Sequence, residues 1–453
     1  MAELLVGIDI GTTMTKAAVV GTDGRELSWG RAPTPWREVP TGAEAAPEDL
    51  FGAVCQATAA ALAASPPGRV VGVGVTSLAE SVVQLTSQGE LAGPCIVWYD
   101  RRGAEEAADA ARVFGLEAFA RRTGLSPAPI RTLMKLAWLA RHGHCQPARA
   151  LSIADWVVHR MGGEQRAEAS LASRTGALSL AGPSWWEEGL AWAGAKPGLF
   201  PPVVSAGHAS GHVALHLVQD GGRDMGRLAG AALTSAGHDH LCAACGTGAI
   251  RADQVLDSCG TAEALVRTVA PMGEEALADA SAEGLEVSRH TVPGCYALLR
   301  GHQLGFVLDR VLRLLGADRP EALSALEAAA AATGAGALRL VLGEPFGAAS
   351  IVGLQADASP AGLWNAALDA VAAGAAEVVE AMGRVAGPAE ELVLSGGWAR
   401  SAGLRRRKAA LLPRARWPEV TEAGARGAAL FGGMAAGLFQ GPAEFPPPGD
   451  RPL

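Results

Sequence analysis

The chain has 453 residues, 49% hydrophobic and 19% charged, more than one ordinary core holds, so two domains of a soluble globular protein are expected. A net charge of −8 leaves no basic excess to displace counterions, which argues against a general nucleic-acid surface. Seven cysteines without framework spacing, an N-terminal apolar stretch broken by Glu3 and Asp9, and no run suited to spanning a membrane point to the cytoplasm.

In chain order, 4–10 reads as a strand, joined by a tight turn to a hairpin partner over 15–20. A helix is expected over 49–64, stopped by Pro66-Pro67, followed by buried strands at 69–75, 81–85 and 95–99. Mixed helices fill 103–143, and a loop-rich stretch with Trp185, Trp186 and Trp192 runs to Pro202. Beyond Thr261 come strands around 264–269, a helical run over 301–315 and Ala-rich helices over 320–332 and 360–385. A short strand at 391–394 opens into Ser395-Gly396-Gly397, a helix over 422–438 closes the fold, and 441–453 reads as a disordered Pro-rich tail.

Asp9-Ile10-Gly11-Thr12-Thr13 opens the first half, and Ser258-Cys259-Gly260-Thr261-Ala262 echoes it where a second sheet would begin. A Gly-Thr turn offers consecutive N–H groups and a hydroxyl to phosphate oxygens, and Asp9 beside the first is placed to orient Mg2+ through water. Such turns are also common hairpin connections. Asp239, in Ala236-Gly237-His238-Asp239-His240, stands ahead of the second turn, where a base for a sugar hydroxyl would sit. It would equally serve as a turn or N-cap aspartate for a helix starting at His240. His238-x-His240-x-Cys242-x-x-Cys245 is a spacing zinc could use, but the residues after Asp239 read as a buried Ala/Cys helix. No Gly follows the P-loop pattern, and Gly72-Val73-Gly74 and Gly246-Thr247-Gly248 both lack the third glycine of a Rossmann turn.

On these residues the chain resembles the FGGY family of carbohydrate kinases, within the actin-like ATPase superfamily. Gly7-x-Asp9-x-Gly11-Thr12-Thr13-x-x-Lys16 is similar to the family's first phosphate loop, Trp98-Tyr99-Asp100-Arg101-Arg102 to its substrate strand, and Ala172-Ser173-Arg174-Thr175-Gly176 to its Ala-Ser-x-Thr-Gly segment. The resemblance implies an α/β fold of two actin-like (ribonuclease H-like) domains, each a mixed β-sheet flanked by helices, with the active site in the cleft between them. The N-terminal domain is expected over 1–243 and the nucleotide-binding C-terminal domain over 244–440. It further implies ATP and Mg2+, Asp239 as general base and metal neighbour with Asp9, and nucleotide contacts from Gly11, Thr12, Thr13, Lys16, Gly260, Thr261, Gly301, Gly396, Gly397 and Ser401. Glu80, Trp98, Asp100, Asp239 and His240 are the expected substrate contacts.

Several departures bear on the acceptor. His240 stands where the family often has Asn, Gln or Thr, and Glu80 matches the glycerol-kinase pattern while Ala79 replaces its Arg partner. A small sugar, pentulose-like in preference to a polyol, is therefore expected as partner, with no nucleic acid or membrane; a homodimer is allowed for. The Gln-x-x-Ala-Asp run after the Gly-Gly turn is missing, and Arg405 to Lys408 in that region reads as a solvated helix face. The rival classes are an actin-like nucleotide-binding regulator without kinase activity and a zinc-dependent hydrolase.

Overall fold

The computed structural model describes residues 2–144, 147–182, 184–214, 225–260, 262–302, 304–333, 336–343 and 348–453. Strand β1 (Glu3–Ile10) is buried at every residue after Glu3, as a central strand covered on both faces must be. The turn at 11–13 returns it antiparallel as β2 (Met14–Gly21), and β3 (Glu26–Pro33) forms the edge. In β3 the buried face is Ser28, Gly30 and Ala32, while Leu27 and Trp29 are exposed. Helix α1 (Pro47–Ala63) causes this inversion, because a Cβ on Gly30 would stand 2.7 Å from the Ala61 nitrogen. Proline in the first turn and Glu48 and Asp49 at the positive helix end start α1. Strands β4 (Arg69–Ser77) and β5 (Ala232–His238) add in parallel, giving the order β5-β4-β1-β2-β3.

Helix α2 (Asp239–Thr247) leaves β5 and leads to a second hairpin, β6 (Gln254–Cys259) and β7 (Glu263–Val269). Strands β8 (Glu286–Arg289) and β9 (Tyr296–His302) extend it, and α3 (Pro360–Ala386) packs on β7 and β9. Next come β10 (Glu391–Ser395), α4 (Ala402–Ala409), β11 (Arg414–Pro418), α5 (Ala423–Ala435) and β12 (Asp450–Arg451), in the sheet order β8-β9-β7-β6-β10-β11-β12. Both sheets follow one plan. β1 and β6 each pair antiparallel with the next strand and parallel with a later one, β4 or β10. The short sequence echo thus marks a repeated topology.

Helices α2 and α5 form the layer between the sheets. Ala425, Ala428 and Ala429 of α5 share a buried cluster with Leu5 and Ala18 of the first sheet, whereas Leu241 and Ala244 of α2 pack with Leu256, Val266 and Val393 of the second. Glycine sets the closeness. A Cβ on Gly7 would lie 2.5 Å from the Ala429 nitrogen, one on Gly74 2.8 Å from the Ala428 carbonyl carbon, and one on Gly427 2.9 Å from that of Cys242. The glycines of Gly72-Val73-Gly74 therefore admit a helix.

Four expectations are corrected. The helical run at 301–315 begins later, at Leu304, and Gly301 lies near the end of β9. The strand at 95–99 is only Cys95–Ile96, so Trp98 and Asp100 sit in a turn. A boundary after residue 243 would cut α2, which is continuous to Thr247. The tail at 441–453 is seated: Phe445 is buried with its ring edge-on to Phe431 and Phe439, and Asp450–Arg451 pairs with β11. Among the described residues no helix is long and apolar enough to cross a membrane.

Candidate active site

Strand register assembles the first wall. Asp9 of β1 pairs with Thr76 of β4, and Thr76 with Gly237 of β5, so Asp9 and the His238-Asp239 step share one edge two strands apart. That separates them by about 10 Å of backbone, within reach of one ion or phosphate between their side chains. A register shift between Ser235 and Gly237 turns the end of β5, and Gly237 takes φ 90° there, with a would-be Cβ 2.5 Å from Ser170 Oγ. Asp239 then opens α2, at the helix's positive end. The residue is thus a helix-start aspartate, half-buried. Its Oδ1 accepts from the His240 amide at 2.7 Å and lies 3.2 Å from His238 Nε2. Burial, aided by His240 and Arg174, drives the His238 pKa well down and keeps that ring neutral.

Asp9 is buried, its Oδ1 has no hydrogen-bond partner, and its Oδ2 lies where a Cβ on Gly424 would come within 2.5 Å. Burial pushes its pKa up to about 7; Lys16 opposes this, and Asp239 and Glu422 add to it. Lys16 is held by Glu422 at 2.9 Å, and Arg31 Nε donates to the same carboxylate at 2.9 Å. Burial works against charge on Lys16, but Asp9 and Glu422 outweigh it and raise its pKa. Two indoles pin the first turn: Trp36 Nε1 donates to the Thr12 carbonyl at 2.8 Å and Trp98 Nε1 to Thr12 Oγ1 at 3.0 Å. Thr13 is exposed at its tip, and Gly11 closes the hairpin through its amide to Met14 O at 3.2 Å.

Two of the expected sugar contacts are already engaged by protein. Glu80 is buried at φ 64°, the one non-glycine residue with positive φ among those described, and its Oε1 accepts from Arg131 at 2.9 Å and Arg174 at 2.8 Å. Glu286 of β8 binds both arginines from the other sheet, Arg174 at 2.6 Å. Burial opposes its charge, yet the two guanidiniums hold its pKa at about 2. Asp100 is also buried, accepting from Arg102 Nε at 2.9 Å, from Arg102 Nη2 at 2.8 Å and from Thr41 at 3.2 Å. It fixes the turn that presents Trp98. His240, half-buried, packs edge-on to His238 beside Asp239.

On the second wall Ser258 pairs with Ser395 and Ala264 with Gly301, so Gly260, Gly301 and Gly396-Gly397 emerge along one edge. Gly396 has φ 91° and presses on Cys259, a Cβ there falling 2.5 Å from the Cys259 carbonyl oxygen. Thr261 lies outside the described residues. Ser401 caps α4 by accepting from the Leu404 amide at 3.3 Å and donates to Glu327, so its hydroxyl has a structural occupation. Lys408, expected on a solvated face, is completely buried. Cys242 and Cys245 lie on buried faces of α2 with their thiol pKa values raised by burial; the group there that could hold an ion is His238, Asp239 and His240, without the cysteines. Glu422, Arg131, Arg174 and Glu286 carried no local signal, because their partners lie far away in sequence.

Residues 4–246 match the family model for the FGGY family of carbohydrate kinases, N-terminal domain, and residues 316–436 the corresponding C-terminal domain. The chain is similar to a xylulose kinase of Streptomyces coelicolor, 31% identical over 97% of this chain and 88% of that protein. It is also similar to a glycerol kinase of a Geobacter species, 28% identical over 96% and 91% of the two chains. Its fold matches the crystal structure of gluconate kinase from Lactobacillus acidophilus with a TM-score of 0.86 at 20% identity, covering 98% of this chain and 92% of that one. Two glycine-lined walls, a repeated sheet plan and these full-length likenesses agree: the chain belongs to the FGGY family of carbohydrate kinases.

Proposed function

We propose that this carbohydrate kinase transfers the γ-phosphoryl group of ATP to a primary hydroxyl of a small sugar, with Asp239 as general base. The observation that carries this reading is the register of β1, β4 and β5, which sets Asp9 and Asp239 on one edge with the first phosphate turn. Asp239 would take the hydroxyl proton while the N–H groups at 11–13 and at Gly260 hold phosphate oxygens from the two walls. Trp98 offers an apolar wall, and His240, more exposed than the buried His238, a ring beside Asp239 for acceptor contact. Asp9 suits Mg2+, since its buried Oδ1 is unpartnered and its carboxyl group is destabilised as an anion. Bound there, Mg2+ would neutralise charge on the phosphates. Because Glu80 and Asp100 are tied to arginines, acceptor selection falls to the Trp98–His240 side of the cleft. A pentulose-like ketose is favoured over glycerol by Ala79, which stands where glycerol kinases have an arginine while the guanidiniums of Arg131 and Arg174 engage Glu80 itself, and by the xylulose kinase relative.

The test is a coupled ADP-release assay over ketoses, aldonates and polyols, run with wild type and Asp239→Asn. Wild type turns over at least one of these acceptors, and the variant loses turnover while still binding nucleotide. Near-normal turnover by Asp239→Asn refutes the base assignment, and ATP binding without any acceptor turnover supports a nucleotide-responsive regulator instead.

A further inference from the structure

Behind the second wall lies an ionic cluster that the phosphoryl-transfer reading does not use. Lys408 of α4 is fully buried and donates to Asp257 Oδ2 at 2.8 Å and to Glu263 Oε1. Asp257 and Glu263 are themselves buried, one near the end of β6 and the other at the start of β7, so they bracket the turn containing Gly260. Cys259 Sγ donates to Asp257 Oδ1 at 3.2 Å. Glu263 is also opposite His302 in the β7–β9 register, with His302 Nδ1 3.1 Å from Glu263 Oε2 but not aligned to share a hydrogen bond. The His302 ring fills the space over Gly374 of α3, where a Cβ would meet its Cδ2 at 2.9 Å.

Each member therefore touches a segment expected to hold nucleotide. Asp257 and Glu263 form the base of the Gly260 turn, His302 follows Gly301, and α4 follows Gly396-Gly397, whose first glycine rests on Cys259. Stability alone gives little reason for such a cluster, since well-packed apolar residues of similar volume commonly do as well as a buried ion triad. What directional bonds from one ammonium to two carboxylates supply is a defined spacing of β6 and β7 beneath a turn made of small residues. Burial, with Glu263 beside it, raises the Asp257 pKa to about 7, which Lys408 opposes; without that cation the two carboxyl groups would face each other unshielded.

We infer that Lys408 is a positioning residue for nucleotide binding, which locks β6, β7 and α4 together so that the Gly260 and Gly396-Gly397 turns form one rigid phosphate and nucleoside cradle. The inference rests on the kinase reading. It assigns to a lysine outside the cleft control of ATP affinity, with no contact to ATP and no effect on acceptor binding.

The test compares wild type, Lys408→Met, Glu263→Gln and the charge-free triple variant Lys408→Met/Asp257→Asn/Glu263→Gln, by calorimetric titration with ATP analogue and, separately, with the acceptor sugar. Lys408→Met is expected to weaken nucleotide binding by about tenfold or more. Glu263→Gln, which leaves a neutral Lys408–Asp257 couple and keeps the fold, weakens it by about threefold. The triple variant regains the wild-type melting temperature without regaining nucleotide affinity, and acceptor affinity stays unchanged in every variant that folds. A merely structural role would move both ligands together. Wild-type nucleotide affinity in Glu263→Gln, or in the folded triple variant, overturns the inference and leaves the kinase reading intact. Wild-type protein that binds no nucleotide overturns both.

Discussion

Replacing Gly74 by alanine tests whether the glycine-lined contact between β4 and α5 sets the position of Asp239, the proposed general base. The new Cβ would stand 2.8 Å from the Ala428 carbonyl carbon and 3.1 Å from the Gly432 nitrogen. Carbon contacts settle at about 3.5–4.0 Å, so α5 must withdraw by roughly 1 Å. The obstacle is backbone, which no rotamer change relieves. Helix α5 cannot withdraw alone, because Gly427 is pressed on Cys242 of α2 and Gly246 of α2 on Gly427. The displacement therefore passes to α2, whose first residue is Asp239. Overpacking of this kind costs about 1–3 kcal/mol, and a misplacement near 1 Å at a reacting group costs about a hundredfold in rate. Gly74→Ala should melt several degrees lower and lose far more kcat than its stability loss accounts for, measured by thermal scanning and steady-state phosphorylation. A variant with reduced stability but wild-type kcat would break the proposed link between helix packing and the site.

Two further outcomes follow from the site and the tail. The Asp9 pKa is raised from an ordinary value near 3.8 to about 7, so the folded protein binds more protons between those values and its stability falls as pH rises through that window. In metal-free protein Asp9→Asn should therefore raise the melting temperature at pH 8 but not at pH 4, while Mg2+ stabilises wild type alone. An equal gain at both pH values would contradict the assigned cause. Phe445→Ala should destabilise the chain by about 3 kcal/mol in chemical denaturation, as removal of a buried aromatic does, whereas a disordered tail would show no change.

The first hairpin turn was legible because hairpin chemistry is local: Gly11-Thr12-Thr13 follows a run of apolar residues and needs no distant partner. Helices over 320–331 and 360–386 were equally plain, each opening at a proline after a polar cap position. β3 was hidden, since close packing against α1 requires Ser28, Gly30 and Ala32 inside and leaves Leu27 and Trp29 outside, the reverse of the usual alternation. β5 was hidden for another reason: it is buried on both faces, and Thr234 and Ser235 interrupt any apolar period. The partners of Glu80 could not be seen from its neighbours, since Arg131 and Arg174 are brought to it only by tertiary structure, whereas Arg102, the partner of Asp100, stands two residues away in the sequence. Lys408 looked like one more basic residue in a run, and only the approach of α4 to β6 and β7 buries it.

The lid over the glycine face of β1 and β4 is α5, encoded at 423–435, more than three hundred residues after the strands it covers. A growing polypeptide must therefore carry that face uncovered until residues 423–435 have been made. A fragment ending at residue 243 would present a flat, side-chain-poor sheet surface to water and to other chains. The two sheets consequently come together through α5, whose arrival covers the glycine face of the first and packs on α2 beside the second.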